Sequence, residues 1–183
     1  MTMELAPQVN PALFARQIVK AALAYRRMPD PPPEDFYSRQ AACFVSIKKN
    51  GELRGCMGTL DPVERDLAHE IVRNAQAAAF SDPRFPPLVL GELPALKFSV
   101  DVLSSPEQVD SHEQLDCKKY GVIVGCDYRR GVLLPDLDGV ESVEHQLEIA
   151  CQKAGISAGE EFQAHRFTVD RYGEDWQPGQ PPE

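Results

Sequence analysis

The chain has no apolar run approaching the ~20 residues that a membrane-spanning helix needs, which excludes a helical membrane protein. It has no Cys-x-x-Cys pair and no His-x-x-x-His pair, so the closely spaced ligands of a zinc site are missing and no metal is expected. Its five cysteines, Cys43, Cys56, Cys117, Cys126 and Cys151, are odd in number and widely spaced, which reads as reduced thiols and not a disulfide framework. Positive charge is also scarce. Nineteen Lys and Arg stand against 28 Asp and Glu, for a net charge of -9, and a basic footprint for nucleic acid is absent. The first seven residues lack the basic and apolar stretches of a secretion signal, so the expected location is the cytoplasm. No repeat, low-complexity tract or cofactor motif is present, and no cofactor is expected.

What is there describes one ordinary domain. A chain of 183 residues, 43% hydrophobic and 26% charged, buries enough surface to fold without staples. Asn10-Pro11 reads as an N-cap followed by proline at the first helical position. Phe14, Ile18, Ala21, Ala22 and Tyr25 then carry a helix over about 11–27, stopped by Pro29 and Pro31-Pro32-Pro33. Residues 42–48 read as a strand. Asn50-Gly51 is a strong hairpin-turn signal, which makes 52–56 the return strand. Asp61-Pro62 is expected to start a second helix that runs to about residue 79.

Residues 96–104 alternate as a half-buried strand, with Leu96, Phe98, Val100 and Val102 on one side. Residues 120–126 and 132–134 read as strands joined by a turn, and 143–154 as a helix. Gly155-Ile156 fits a left-handed stop. A last strand is expected over 166–170, and the polar, proline-rich residues 173–183 read as a mobile tail. Helices interspersed with hairpins, without regular βαβ alternation, point to an α+β fold around an antiparallel or mixed sheet.

The most informative stretch is residues 53–58, Leu-Arg-Gly-Cys-Met-Gly. A thiol between glycines, two positions after an arginine, suits either a loop presenting a reactive sulfur or a hairpin arm ending in an inert one. Arg54 and Arg84 are candidate anion binders, because a guanidinium is a rigid donor fork and Arg84 lies in a loop framed by prolines. Against this, each could be an ordinary ion pair. Asp82 reads as a turn residue before Pro83, His112 and Cys117 as surface residues, and Asp136, Asp138 and Glu141 as a solvated acidic loop. Phe80, Phe85 and Pro86-Pro87 could form a partner-binding apolar patch or pack onto their own sheet.

The hexapeptide closely resembles the signature of the AMMECR domain family, with Met57 where isoleucine is usual. The segment 77–88, Glu92-Leu93 with the strand 96–103, and 131–137 with 146–156 are similar to the family's further blocks. Together these cover most of residues 42–172. The resemblance implies one domain over 9–172, in which helices flank an antiparallel sheet and a small lobe packs on a larger one. It also implies a setting beside a Memo-like protein and a radical SAM protein. The expected function is then an accessory or binding domain. It would hold an anionic ligand or a partner segment near Arg54, Gly55, Gly58 and Arg84. The alternative is a cysteine-dependent enzyme with Cys56 as nucleophile or thiolate; it would also need a base, and no histidine is near in sequence.

Overall fold

The computed structural model describes residues 6–182; residues 1–5, on which most of the amino-terminal reading rests, lie outside it. The chain divides into two compact units, residues 1–102 with 170–183, and residues 103–169. Each contains an antiparallel sheet with helices, so the fold is α+β.

The first unit contains α1 (Pro11–Leu23), α2 (Asp35–Ser38), β1 (Cys43–Lys49), β2 (Glu52–Gly58), α3 (Leu67–Phe80), β3 (Leu96–Leu103) and β8 (Val169–Gly173). Its sheet has the order β2-β1-β3-β8. Asn10 caps α1 as its sequence suggests, accepting the N–H groups of Ala12 and Leu13. The helix stops four residues earlier than its apolar spacing implies. Tyr25 takes a left-handed φ of 51°, and Arg26 N–H returns to the Ala21 carbonyl, a Schellman closure without glycine. Asn50 and Gly51 both have positive φ, as the hairpin requires.

Alternation along β1 sends Cys43, Val45 and Ile47 into a core shared with Phe14, Ile18, Leu67, Ile71, Phe98 and Val100. Full burial of each large side chain contributes roughly 1.5–3 kcal/mol.

The second helix begins at Leu67 with Asp66 as its cap, not at Asp61. The reason is a competing acceptor. The fully buried carboxylate of Glu70 takes the N–H groups of Val63 and Glu64 and the hydroxyl of Thr59, so residues 59–64 are satisfied outside a helix.

Residues 173–176 do not behave as a loose tail. Trp176 is buried in the first core, and Asn10 Nδ2 donates to the Gly173 and Trp176 carbonyls at 2.9 and 2.8 Å.

The second unit holds β4 (Glu107–Val109), β5 (Gly121–Cys126), β6 (Arg129–Leu133), α4 (Val143–Ala154) and β7 (Gln163–Phe167), with sheet order β4-β7-β5-β6. Helix α4 lies so close to β6 that a Cβ at Gly131 would overlap the Ala150 carbonyl oxygen. Gly155 ends α4 with a φ of 69° and Ile156 is buried behind it, as the sequence suggests. The single last strand expected over 166–170 is two strands, β7 and β8, in different sheets. The break is at Thr168, whose N–H and carbonyl bond to Ser104 Oγ and N at 2.9 and 3.0 Å. Cys117, expected at the surface, is buried in the second core beneath Val140.

Candidate functional site

Residues 53–58 lie on β2, an edge strand. The register against β1 slips by one between Ile47 and Lys48, which leaves Arg54 as the extra residue of a β-bulge. The bulge re-aims Arg54 along the strand end toward Glu92. There Nε and Nη2 donate to the two carboxylate oxygens at 3.0 Å each, and Lys49 Nζ shares one of them at 3.0 Å. Arg54 is 12% exposed, and its Nη1 is buried with no hydrogen-bond partner. The Arg54 fork, with Lys49 and the Val89 N–H, lowers the Glu92 pKa to about 2 against the opposing effect of burial.

Arg84 is paired in the same manner. Its Nε and Nη2 donate to Asp82 at 3.0 and 2.7 Å. Asp82 is 4% exposed and also accepts the backbone N–H of Cys56 at 2.9 Å, while Arg84 Nη2 reaches the Cys56 carbonyl at 3.4 Å. The Arg84 guanidinium, with these backbone donors, holds the Asp82 carboxyl well below the usual carboxylate range. Phe85 lies between the two guanidiniums, 5.9 Å from Arg54 and 5.6 Å from Arg84. The loop after α3 is therefore buckled onto the exposed edge of β2, at Arg54 through Glu92 and at Cys56 through Asp82 and Arg84.

The two glycines serve close approach. A Cβ at Gly55 would overlap the Ala78 carbonyl oxygen of α3, and one at Gly58 would overlap the Phe44 ring and come close to the Cys43 carbonyl. Gly55 thus seats β2 on α3. Cys56 points to the other side of the sheet, where Ser46 Oγ donates to its sulfur at 3.2 Å. His69, the one histidine in the first unit's sequence, is engaged elsewhere: its Nδ1 is 2.6 Å from Asp66 and its Nε2 2.8 Å from Arg65. Arg54, Gly55, Cys56 and Arg84 are therefore brought together around the β2 edge, with Gly58 at its far end. Among the described residues of the first unit, no histidine joins Cys56.

Asp82 does form the turn read from its sequence, with Phe85 N–H on its carbonyl, and is in addition a bridge to Cys56. Glu92, the partner of Arg54, is legible beforehand only as part of a family-like block. Neither pairing has a local spacing that could reveal it. Asp136 of the acidic loop faces Lys118 at 3.3 Å, and among the described residues no group of three or more His, Cys, Asp or Glu could hold a metal ion. No helix among them is long and apolar enough to cross a membrane. A groove of about 660 Å³ runs along α3 past His69, Arg73, Gln76 and Phe80, and Arg54, Gly55, Cys56, Gly58 and Arg84 do not line it.

The AMMECR1 family's sequence model matches residues 12–175. The chain belongs to the AMMECR1 family. A Thermotoga maritima protein is 46% identical over 164 residues, covering 87% of this chain and 94% of its own. A Clostridium acetobutylicum protein is also 46% identical, over 86% of this chain. The match takes in 34% of that longer protein. Among solved structures, an uncharacterised Pyrococcus horikoshii protein superposes with a TM-score of 0.81 at 25% identity, covering 94% of this chain and 95% of that one.

Proposed function

We propose that this AMMECR1-family chain is a binding domain, which holds an anionic ligand or a partner segment beside residues 53–58. It acts in the cytoplasm with a Memo-like protein and a radical SAM protein. The observation that carries this reading is the company of Cys56: its sulfur meets a serine hydroxyl and not a base, and both neighbouring arginines are held by carboxylates. That is a rigid, prearranged surface without an acid–base set, which suits recognition better than turnover. Arg84 keeps half of its side chain exposed and is the arginine able to meet a ligand without unfolding its pair.

The reading is tested by mixing the purified chain with purified Memo-like and radical SAM proteins of one genome and following co-elution by size exclusion. A stable complex with either supports it, and three independent peaks at roughly tens of micromolar count against the partnership.

A second reading is favoured by one contact. The Ser46 hydroxyl donates to the Cys56 sulfur, which would stabilise a thiolate, so a cysteine-dependent enzyme using Cys56 is the alternative. Alkylation of Cys56 against pH separates the two.

A further inference from the structure

A groove of about 380 Å³ lies along the outer side of α4, and its lining belongs entirely to the second unit. Residues 144, 147, 148, 151 and 152 recur at the three- and four-residue spacing of one helix stripe and form one wall. The turn after Gly155, with Phe162, forms the other. The base is apolar: Leu147 and Ile156 are buried there, and Cys151 and Phe162 are half-buried. From Glu144 to Gln152 the helix advances about 12 Å, so the groove is elongated.

Its charge has one sign. No lysine or arginine lines it, and His112 is the one lining residue able to become a cation. Glu144 and Glu148 stand one turn apart on the helix wall, both exposed. Among the described residues neither carboxylate has a hydrogen-bond or ion-pair partner. Like charges at this spacing destabilise a helix. Lys153, the lysine of α4, does not relieve them, since its Nζ donates to the Val132 carbonyl at 3.3 Å. A third lining carboxylate, Glu160, is already held by Arg129 at 3.1 and 3.2 Å and is left out of the argument. The surrounding unit adds to the field: residues 103–169 contain twelve Asp and Glu against six Lys and Arg, an excess of six within a chain whose net charge is -9.

We propose that this groove docks a basic amphipathic segment of a partner protein. Apolar side chains of the segment cover Leu147, Cys151 and Phe162, and two of its lysines or arginines, one turn apart, pair with Glu144 and Glu148. Charge complementarity selects this occupant. A bare cation leaves the apolar base in water, and a neutral or acidic segment desolvates two carboxylates without answering them. An elongated groove with an apolar base and a charged wall is also the form that receives a helix by one face. The surface is separate from residues 53–58, and it goes beyond the binding reading without depending on it.

The test is a titration of ¹⁵N-labelled full-length chain with a short amphipathic helical peptide of leucine and lysine. The same peptide with glutamate for lysine, and spermine as a cation without an apolar face, are run in parallel. The expected result is saturable shifts of the amides of residues 144–152 and 156–162 with the lysine peptide alone. E144Q/E148Q, which alters only exposed side chains, should keep its melting temperature and bind that peptide about tenfold more weakly, with a reduced salt dependence. D138N/E141Q removes the same charge from exposed positions of the same unit outside the groove, and should bind as wild type does. Equal weakening in the two variants would reduce the effect to the general field of an acidic unit and overturn the site. Unchanged affinity in E144Q/E148Q, the same shifts from spermine or from the glutamate peptide, or no binding of the lysine peptide would each overturn it as well. The binding reading stands or falls separately, on co-elution with the partner proteins.

Discussion

The carboxylate of Asp82 accepts the backbone N–H of Cys56 at 2.9 Å, although the two residues are 26 positions apart. One carboxylate thus ties the loop after α3 to an edge strand while neutralising Arg84. Replacing Asp82 with alanine leaves the Cys56 N–H without its acceptor and Arg84 without its partner. The expected loss is about 2–4 kcal/mol of stability. Urea denaturation of D82A against wild type measures it, and a loss no larger than that of an ordinary surface substitution would show that the loop is not held this way.

Gly55 and Gly91 provide a matched pair. An added methyl at Gly55 overlaps the Ala78 carbonyl oxygen, whereas one at Gly91 meets nothing within 4 Å. G55A is expected to cost about 2 kcal/mol or more, because strand and helix backbones must part, and G91A to stay within about 0.5 kcal/mol. Thermal melts of the two variants check the difference.

Acid should act on Glu92. Its pKa in the folded chain is lowered to about 2 from the usual 4.5, so the unfolded state binds the proton more readily. The contribution of this group is therefore complete above the unfolded value and is lost as pH falls from about 4.5 through 2. In E92Q the stability at neutral pH is expected to drop, and the fall between those pH values to become shallower than in wild type. Urea midpoints across that range read both effects.

The thiols should separate by position. Burial pushes the Cys43 thiol up to about 12, and Cys43 and Cys117 are both buried. Neither is expected to react with iodoacetamide in the native chain near neutral pH, because access to both is closed and Cys43 is in addition held as the thiol. If the binding reading holds, Cys56 labels no faster than a thiol of the denatured chain. Peptide-level mass spectrometry after short pulses gives each rate.

Much of the local architecture was legible because it depends on neighbours in sequence. Asn10 beside Pro11, Asn50 beside Gly51, and Gly155 after an amphipathic stretch each specify a backbone conformation by themselves, and the chain adopts all three. What was hidden depends on distant partners. Asp61 has every local mark of an N-cap, but Asp66 caps the helix instead, because Glu70 reaches back to the backbone of Val63 and Glu64. Trp176 sits in a stretch whose composition reads as solvent-loving, and it is buried because Asn10, at the opposite end of the chain, binds the backbone around it. At the site, proximity of Arg54, Cys56 and Arg84 was suggested by family-like blocks. Their pairing with Glu92 and Asp82 was not, since nothing in the spacing of those carboxylates distinguishes them from the other acidic residues.

The second unit, residues 103–169, is spliced between β3 and β8, two strands that neighbour each other in the first sheet. On the ribosome this imposes a waiting time. When Val102 has emerged, three of the four strands of the first sheet exist and β3 still lacks its outer neighbour. At roughly 5–20 residues per second, the intervening segment takes about 3–13 seconds to synthesise. Throughout that interval the β3 edge is open to pairing with another nascent chain. The order of synthesis thus makes β8, with Trp176 just behind it, the latch that closes the first unit last.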